Sequence, residues 1–189
     1  TNQCLLDVMS GAQLKNQHNE YGLNGYLYAT QDIGKRRSNQ EDAVIIMEHP
    51  NNPELVYIKT DVGGIYQLDK EKNKWNPLMD EIGFNDRDAM NIRSLAFDPN
   101  NENVIYVSGG GNWNTWPCVL AKTTDGGKSW NILDFKGANT SASTAVRYNG
   151  ESLAVDPNDS KTIFLGAFDG LFVSHDAGET FSKVSSIPD

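Results

Sequence analysis

Two cysteines and three histidines in 189 residues leave little material for metal or redox chemistry. Cys4 and Cys118 allow one disulfide or two free thiols, and no zinc site of the paired-cysteine kind. His18, His49 and His175 stand too far apart for ligand spacing. No cofactor is expected, because no Ser-His-Asp signature or phosphate-cradling glycine loop is present, and Gly109–Gly111 precedes no helical pattern. No apolar run approaches the ~18 residues of a membrane span. Basic residues are also scarce: 16 Lys and Arg stand against 25 Asp and Glu, a net charge of −9. Phosphate backbones need a cationic face, so nucleic acid is excluded as a partner. A neutral polysaccharide is a better match to an acidic surface.

What the chain does have is glycine, asparagine and aspartate punctuating short strand-like runs. Three segments open alike: EHPNNPELVYIKT from Glu48, FDPNNENVIYVSG from Phe97 and VDPNDSKTIFLGA from Val155. In each, Pro and Asn set a tight turn and a β-branched, aromatic run follows as a buried strand. Pro50, Pro99 and Pro157 recur at intervals slightly over the ~40–50 residues of a propeller blade.

A second motif rides on the repeat. TTDGGKSW (123–130) and SHDAGETF (174–181) fit Ser/Thr-x-Asp-x-Gly-x-x-Trp/Phe, the Asp-box. Its aspartate accepts backbone N–H bonds, its glycine takes positive φ, and its aromatic tucks under the hairpin. Asp125 and Asp176 are therefore expected to be structural, and Trp75, Trp130 and Phe181 to be core. KEKNKW (70–75) holds the equivalent place in the first repeat without the Asp and Gly. No stretch sustains a 3.6-residue period. The fold class is all-β, a β-propeller of about three four-stranded blades at 41–90, 91–148 and 149–189. Residues 1–40 match no repeat, although GYLYATQDIGK (25–35) echoes a strand pair. Three blades do not close a ring of four to eight. The remaining blades are expected from the same chain continued or from other chains.

VYIKTDVGGIYQLD (56–69) poses the functional question, because an acid followed by two glycines interrupts a strand pair. This stretch, KWNPLMDEIG after it, and NGESLAVDPNDSKTIFLGAFDGLFVSHDAGETFSKVSSIPD (149–189) resemble the opening of the family 74 glycoside hydrolases in order and spacing. The resemblance implies extracellular xyloglucanases built from two seven-bladed propellers with a cleft between them. It implies inverting hydrolysis by two carboxylates, and the match to one of these is Asp61. The second belongs to the other propeller and has no match in this chain, so hydrolysis by these residues alone is not expected. Gly63 and Gly64 would let a sugar chain approach the backbone. Trp116, with Trp113 beside it, would offer a platform to a pyranose ring. Arg147 and Glu151 fall at a cleft-side position, where Glu151 is expected either to pair with Arg147 or to act as a spare acid. The alternative from another class is a non-catalytic propeller that binds glycan or protein within a larger extracellular assembly. Ser152 stands where the family usually has arginine, and the usual glycines near residues 38–50 are missing, which favours that alternative.

Overall fold

The computed structural model describes residues 44–60, 63–80, 82, 91–110, 119–133, 135 and 151–186. Both cysteines, the 25–35 echo and His18 lie outside them. Within them the chain forms three separate four-stranded antiparallel sheets, each ordered as its strands occur in sequence. The first contains β1 (Val44–His49), β2 (Asn52–Thr60), β3 (Ile65–Asp69) and β4 (Lys74–Pro77). The second contains β5 (Ile92–Asp98), β6 (Asn101–Gly109), β7 (Val119–Thr123) and β8 (Asn131–Leu133). The third contains β9 (Leu153–Asp156), β10 (Asp159–Ala167), β11 (Gly170–Ser174) and β12 (Ser182–Lys183). These are propeller blades, and the fold class read from the repeats is borne out.

Side chains alternate across a strand, so a strand buried on both faces feeds two cores. In β6, Ile105 and Val107 join a cluster with Tyr57, Leu95 and Phe97, while Tyr106 joins another with Ile163, Leu165 and Phe172. The second blade is thus glued to the first by one face and to the third by the other. In β10, Ile163 and Leu165 are fully buried against the second blade, and Phe164 between them points the other way and is 37% exposed.

The Pro-Asn turns add a directional polar link. Asn51 Nδ2 donates to the Pro99 carbonyl at 2.6 Å, and Asn100 Nδ2, one blade on, donates to the Pro157 carbonyl at 3.1 Å. His49 Nε2 reaches the Asp98 carbonyl at 3.1 Å and its ring meets Phe97 edge-on, so this histidine is a buried packing residue.

The aromatic positions differ from expectation. Trp75 lies within β4 and is core, packed with Val56 and Ile58. Trp130 and Phe181 precede their outer strands and are only half-buried at the blade seams. Trp130 Nε1 donates to the Leu78 carbonyl of the preceding blade at 2.7 Å, which keeps the indole edge at the seam. Phe181 packs against Phe135 with ring centroids 4.8 Å apart.

Candidate functional site

Within each sheet the connection from second to third strand lies at one end, and the two other hairpins lie at the opposite end. The Asp-boxes therefore sit at the far end of their own sheets from the ends where β2 meets β3, β6 meets β7 and β10 meets β11. Their hydrogen bonds account for both acids. Asp125 accepts from the Ser129 N–H at 2.9 Å, the Ser129 hydroxyl at 2.6 Å and the Thr123 hydroxyl at 2.8 Å. Asp176 repeats the set with the Thr180 N–H at 2.8 Å and the Thr180 and Ser174 hydroxyls. Donors aimed at the charged form pull each carboxyl down to about 2, led by the Ser129 and Thr180 hydroxyls respectively. A depressed carboxyl adds stability that is complete above its unfolded value of 3.8 and vanishes as pH falls through about 2. Urea unfolding midpoints are expected to drop between about pH 4 and pH 2, and Asp125→Asn to flatten that drop. An unchanged slope in the variant would show that the carboxylate contributes nothing.

At the other end, the turn after β2 is closed by a threonine. Thr60 N–H donates to the Gly64 carbonyl at 3.0 Å, the Thr60 hydroxyl donates to that same oxygen at 3.0 Å, and Gly63 N–H donates to the hydroxyl at 2.8 Å. Gly64 has φ of 75°, and a Cβ on Gly63 would sit 2.8 Å from Thr60 Oγ1. Both glycines are therefore required by the turn itself. Asp61, Trp113, Trp116 and Arg147 lie outside the described residues.

Next to this turn the three blades meet through charge. Lys59, 4% exposed near the end of β2, pairs with Glu151 just before β9 and donates to the Arg93 carbonyl at 2.6 Å. The second Glu151 oxygen accepts from the Ser94 hydroxyl at 2.8 Å and the Leu95 N–H at 2.6 Å. Ser94 Oγ in turn accepts from the Ser152 and Leu153 N–H groups at 2.8 and 2.9 Å. Both oxygens of Glu151 are thus engaged across blades. The partner expected from sequence, Arg147, is outside the description, and Lys59 is the one observed. Nothing local in the sequence signals a strand lysine that finds its counter-charge two blades away.

Arg93 itself is unusual. Its Nε and Nη1 are buried without a hydrogen-bond partner, and its guanidinium carbon lies 5.2 Å from the ring centroid of Phe168. Burial pulls its pKa below the ordinary value. Each unpartnered N–H costs about 1–3 kcal/mol, against about 0.5–2 kcal/mol returned by the cation–π contact. Phe168, in the turn joining β10 to β11, is 51% exposed. Sequence reading passed over it because a lone phenylalanine in a turn carries no motif.

A cleft of about 670 Å³ lies elsewhere, along the seam of the first two blades, lined by Leu78, Ile82, Gly127 and Trp130 among others. It borders the second blade's Asp-box rather than the Gly63–Gly64 turn.

Repeating four-stranded sheets, Asp-box hairpins and inter-blade seams define an Asp-box β-propeller. No family model matches the chain. A xyloglucanase of Acetivibrio thermocellus is 35% identical over 151 residues, covering 76% of this chain and 18% of that protein. An oligoxyloglucan-reducing end-specific xyloglucanase of Emericella nidulans is 35% identical over 147 residues, with coverage of 76% and 18%. The crystal structure of the family 74 xyloglucanase from Xanthomonas campestris matches with a TM-score of 0.69 at 32% identity, over 76% of this chain and 20% of that one. The resemblance to glycoside hydrolase family 74 is therefore borne out in sequence and in fold. This chain spans only 18–20% of the length of these relatives.

Proposed function

We propose that this chain is part of an extracellular glycoside hydrolase that cleaves the β-glucan backbone of xyloglucan-type polysaccharide, with Asp61 as one of its two carboxylates. The observation that carries this reading is the turn at Gly63–Gly64, in which Thr60 supplies the side-chain hydrogen bonds. Thr60 and the two glycines thus set the described backbone on either side of the position that the resemblance gives to a catalytic carboxylate. Xyloglucanases are also among the proteins most similar to this chain.

In the inverting mechanism one carboxylic acid protonates the departing glycosidic oxygen. The other carboxylate removes a proton from a water on the opposite face of the ring, and the two stand about 6.5–9.5 Å apart to admit that water. Asp61 takes the second role, as the base. The proton donor that the resemblance implies has no match among these residues. Trp116 and Trp113 give the glycan its apolar platforms, and Arg147 contributes to the cleft. No cofactor enters the reaction.

The test is the anomeric configuration of the reducing end freshly released from xyloglucan by the full-length protein, followed by proton NMR. An α-anomer released from a β-linked backbone is expected. Release of the β-anomer would overturn the base role of Asp61. Binding of xyloglucan with no release would replace the enzyme by the non-catalytic glycan-binding module.

A further inference from the structure

We propose that Phe168 is a carbohydrate-stacking residue, its ring offered to a pyranose of the bound glycan and held in position by Arg93. This rests on the glycan-binding part of the reading above, and it adds a contact that no sequence motif marks.

Phe168 is the most exposed large apolar side chain among the described residues, at 51%. Its location separates it from the other exposed aromatic of its blade, because Phe164 lies mid-strand on the blade's flank whereas Phe168 occupies the β10–β11 turn. That turn is at the end of the blade where Lys59, Arg93 and Glu151 converge, beside the Gly63–Gly64 turn. The backbone there is well fixed. Ala167 and Gly170 pair directly across the two-residue turn, Gly170 adopts φ of 127°, and Gly166 N–H donates to the Ser152 carbonyl.

Arg93 reaches the ring from the preceding blade. Its main chain is anchored by the Lys59 ammonium on its carbonyl. Among the described residues its head group meets no carboxylate, and it contacts the Phe168 ring. Two guanidinium nitrogens buried without a hydrogen bond, beside a half-exposed aromatic, are poor design for stability alone. They are sound design for presenting a ring at a fixed angle, since strained or uncompensated groups persist where function requires them.

Of the occupants such a ring could take, a pyranose fits best. It has an apolar C–H face to lie on the ring and a rim of hydroxyls to remain solvated. One phenylalanine is too small a patch for a protein interface, which needs about 800 Å² per partner. A polyanionic glycan would meet a chain of net charge −9.

The experiment uses the full-length protein carrying Asp61→Asn, so that ligand survives, titrated calorimetrically with a xyloglucan oligosaccharide. Phe168→Ala is expected to weaken binding about tenfold while still unfolding cooperatively, with only the small fall in thermal midpoint that losing the Arg93 contact brings, and Phe168→Trp to hold or improve binding. Arg93→Met is expected to weaken binding when Phe168 is present and to have no further effect in the Phe168→Ala background, the coupling that marks a positioning residue. Equal affinity of the Phe168→Ala protein and its parent would overturn the inference while leaving the glycan reading intact. A parent that binds no xyloglucan would overturn both.

Discussion

Asp61→Asn in the full-length protein is expected to lower kcat on xyloglucan by about 10²–10⁴-fold, with little change in KM and none in the thermal unfolding midpoint. Asparagine keeps the shape and loses the ability to accept a proton from water. An effect confined to kcat therefore separates a general base from a residue that only contacts the glycan. The unchanged midpoint is the more discriminating half of the prediction. Were the aspartate the side chain that bonds the turn, its amide would bond less well, and stability would fall with activity following it. Among the described residues of this turn the side-chain hydrogen bonds come from Thr60, whose hydroxyl accepts from Gly63 N–H and donates to the Gly64 carbonyl. Equal reducing-sugar release by both proteins would remove Asp61 from the chemistry.

Local features of the fold were legible in the sequence because their determinants are contiguous. Pro-Asn turns and Asp-boxes encode hairpins within a few residues, and Thr123–Ser129 and Ser174–Thr180 form the same hydrogen-bond set with different residues in the variable places. The first blade shows that geometry can outlast the motif. Having lost the Asp-box, it bends its β3–β4 hairpin with Asp69, which accepts from the Lys72 N–H at 3.0 Å, and with Asn73 at φ of 48°. Asn tolerates that left-handed conformation better than most residues, so a glycine was dispensable there.

What the sequence hid is what crosses blades. Nothing in the run from Val56 to Thr60 sets Lys59 apart from an ordinary solvated strand lysine, and it gives no hint that Glu151 lies against it. The same holds for Arg93 and Phe168, which only the packing of the third blade on the second brings together. Expecting Trp130 and Phe181 to be core failed for a related reason. An aromatic at the end of an Asp-box lies on a seam, and how deeply it is covered depends on the neighbouring blade, not on its own hairpin.

The Lys59–Glu151 pair leads to the second large effect, this one on stability. Glu151→Ala is expected to destabilise the fold by about 3 kcal/mol, measured as a shift in the urea unfolding midpoint, because removing one partner leaves the other charge buried and unpaired. Lys59 has 5% of its side chain exposed and Glu151 25%, so water reaches the carboxylate more readily than the ammonium. The loss should accordingly be smaller for Lys59→Met, which leaves its unpaired charge on the wetter side. Glu151→Ala also deprives the Ser94 hydroxyl and the Leu95 N–H of their acceptor, a cost that Glu151→Gln escapes in part. Adding Lys59→Met to Glu151→Gln should then recover stability relative to Glu151→Gln alone, since no buried charge remains. Additive losses in that double variant would mean that the two side chains act independently, and that the blades are held at this end by their apolar faces alone.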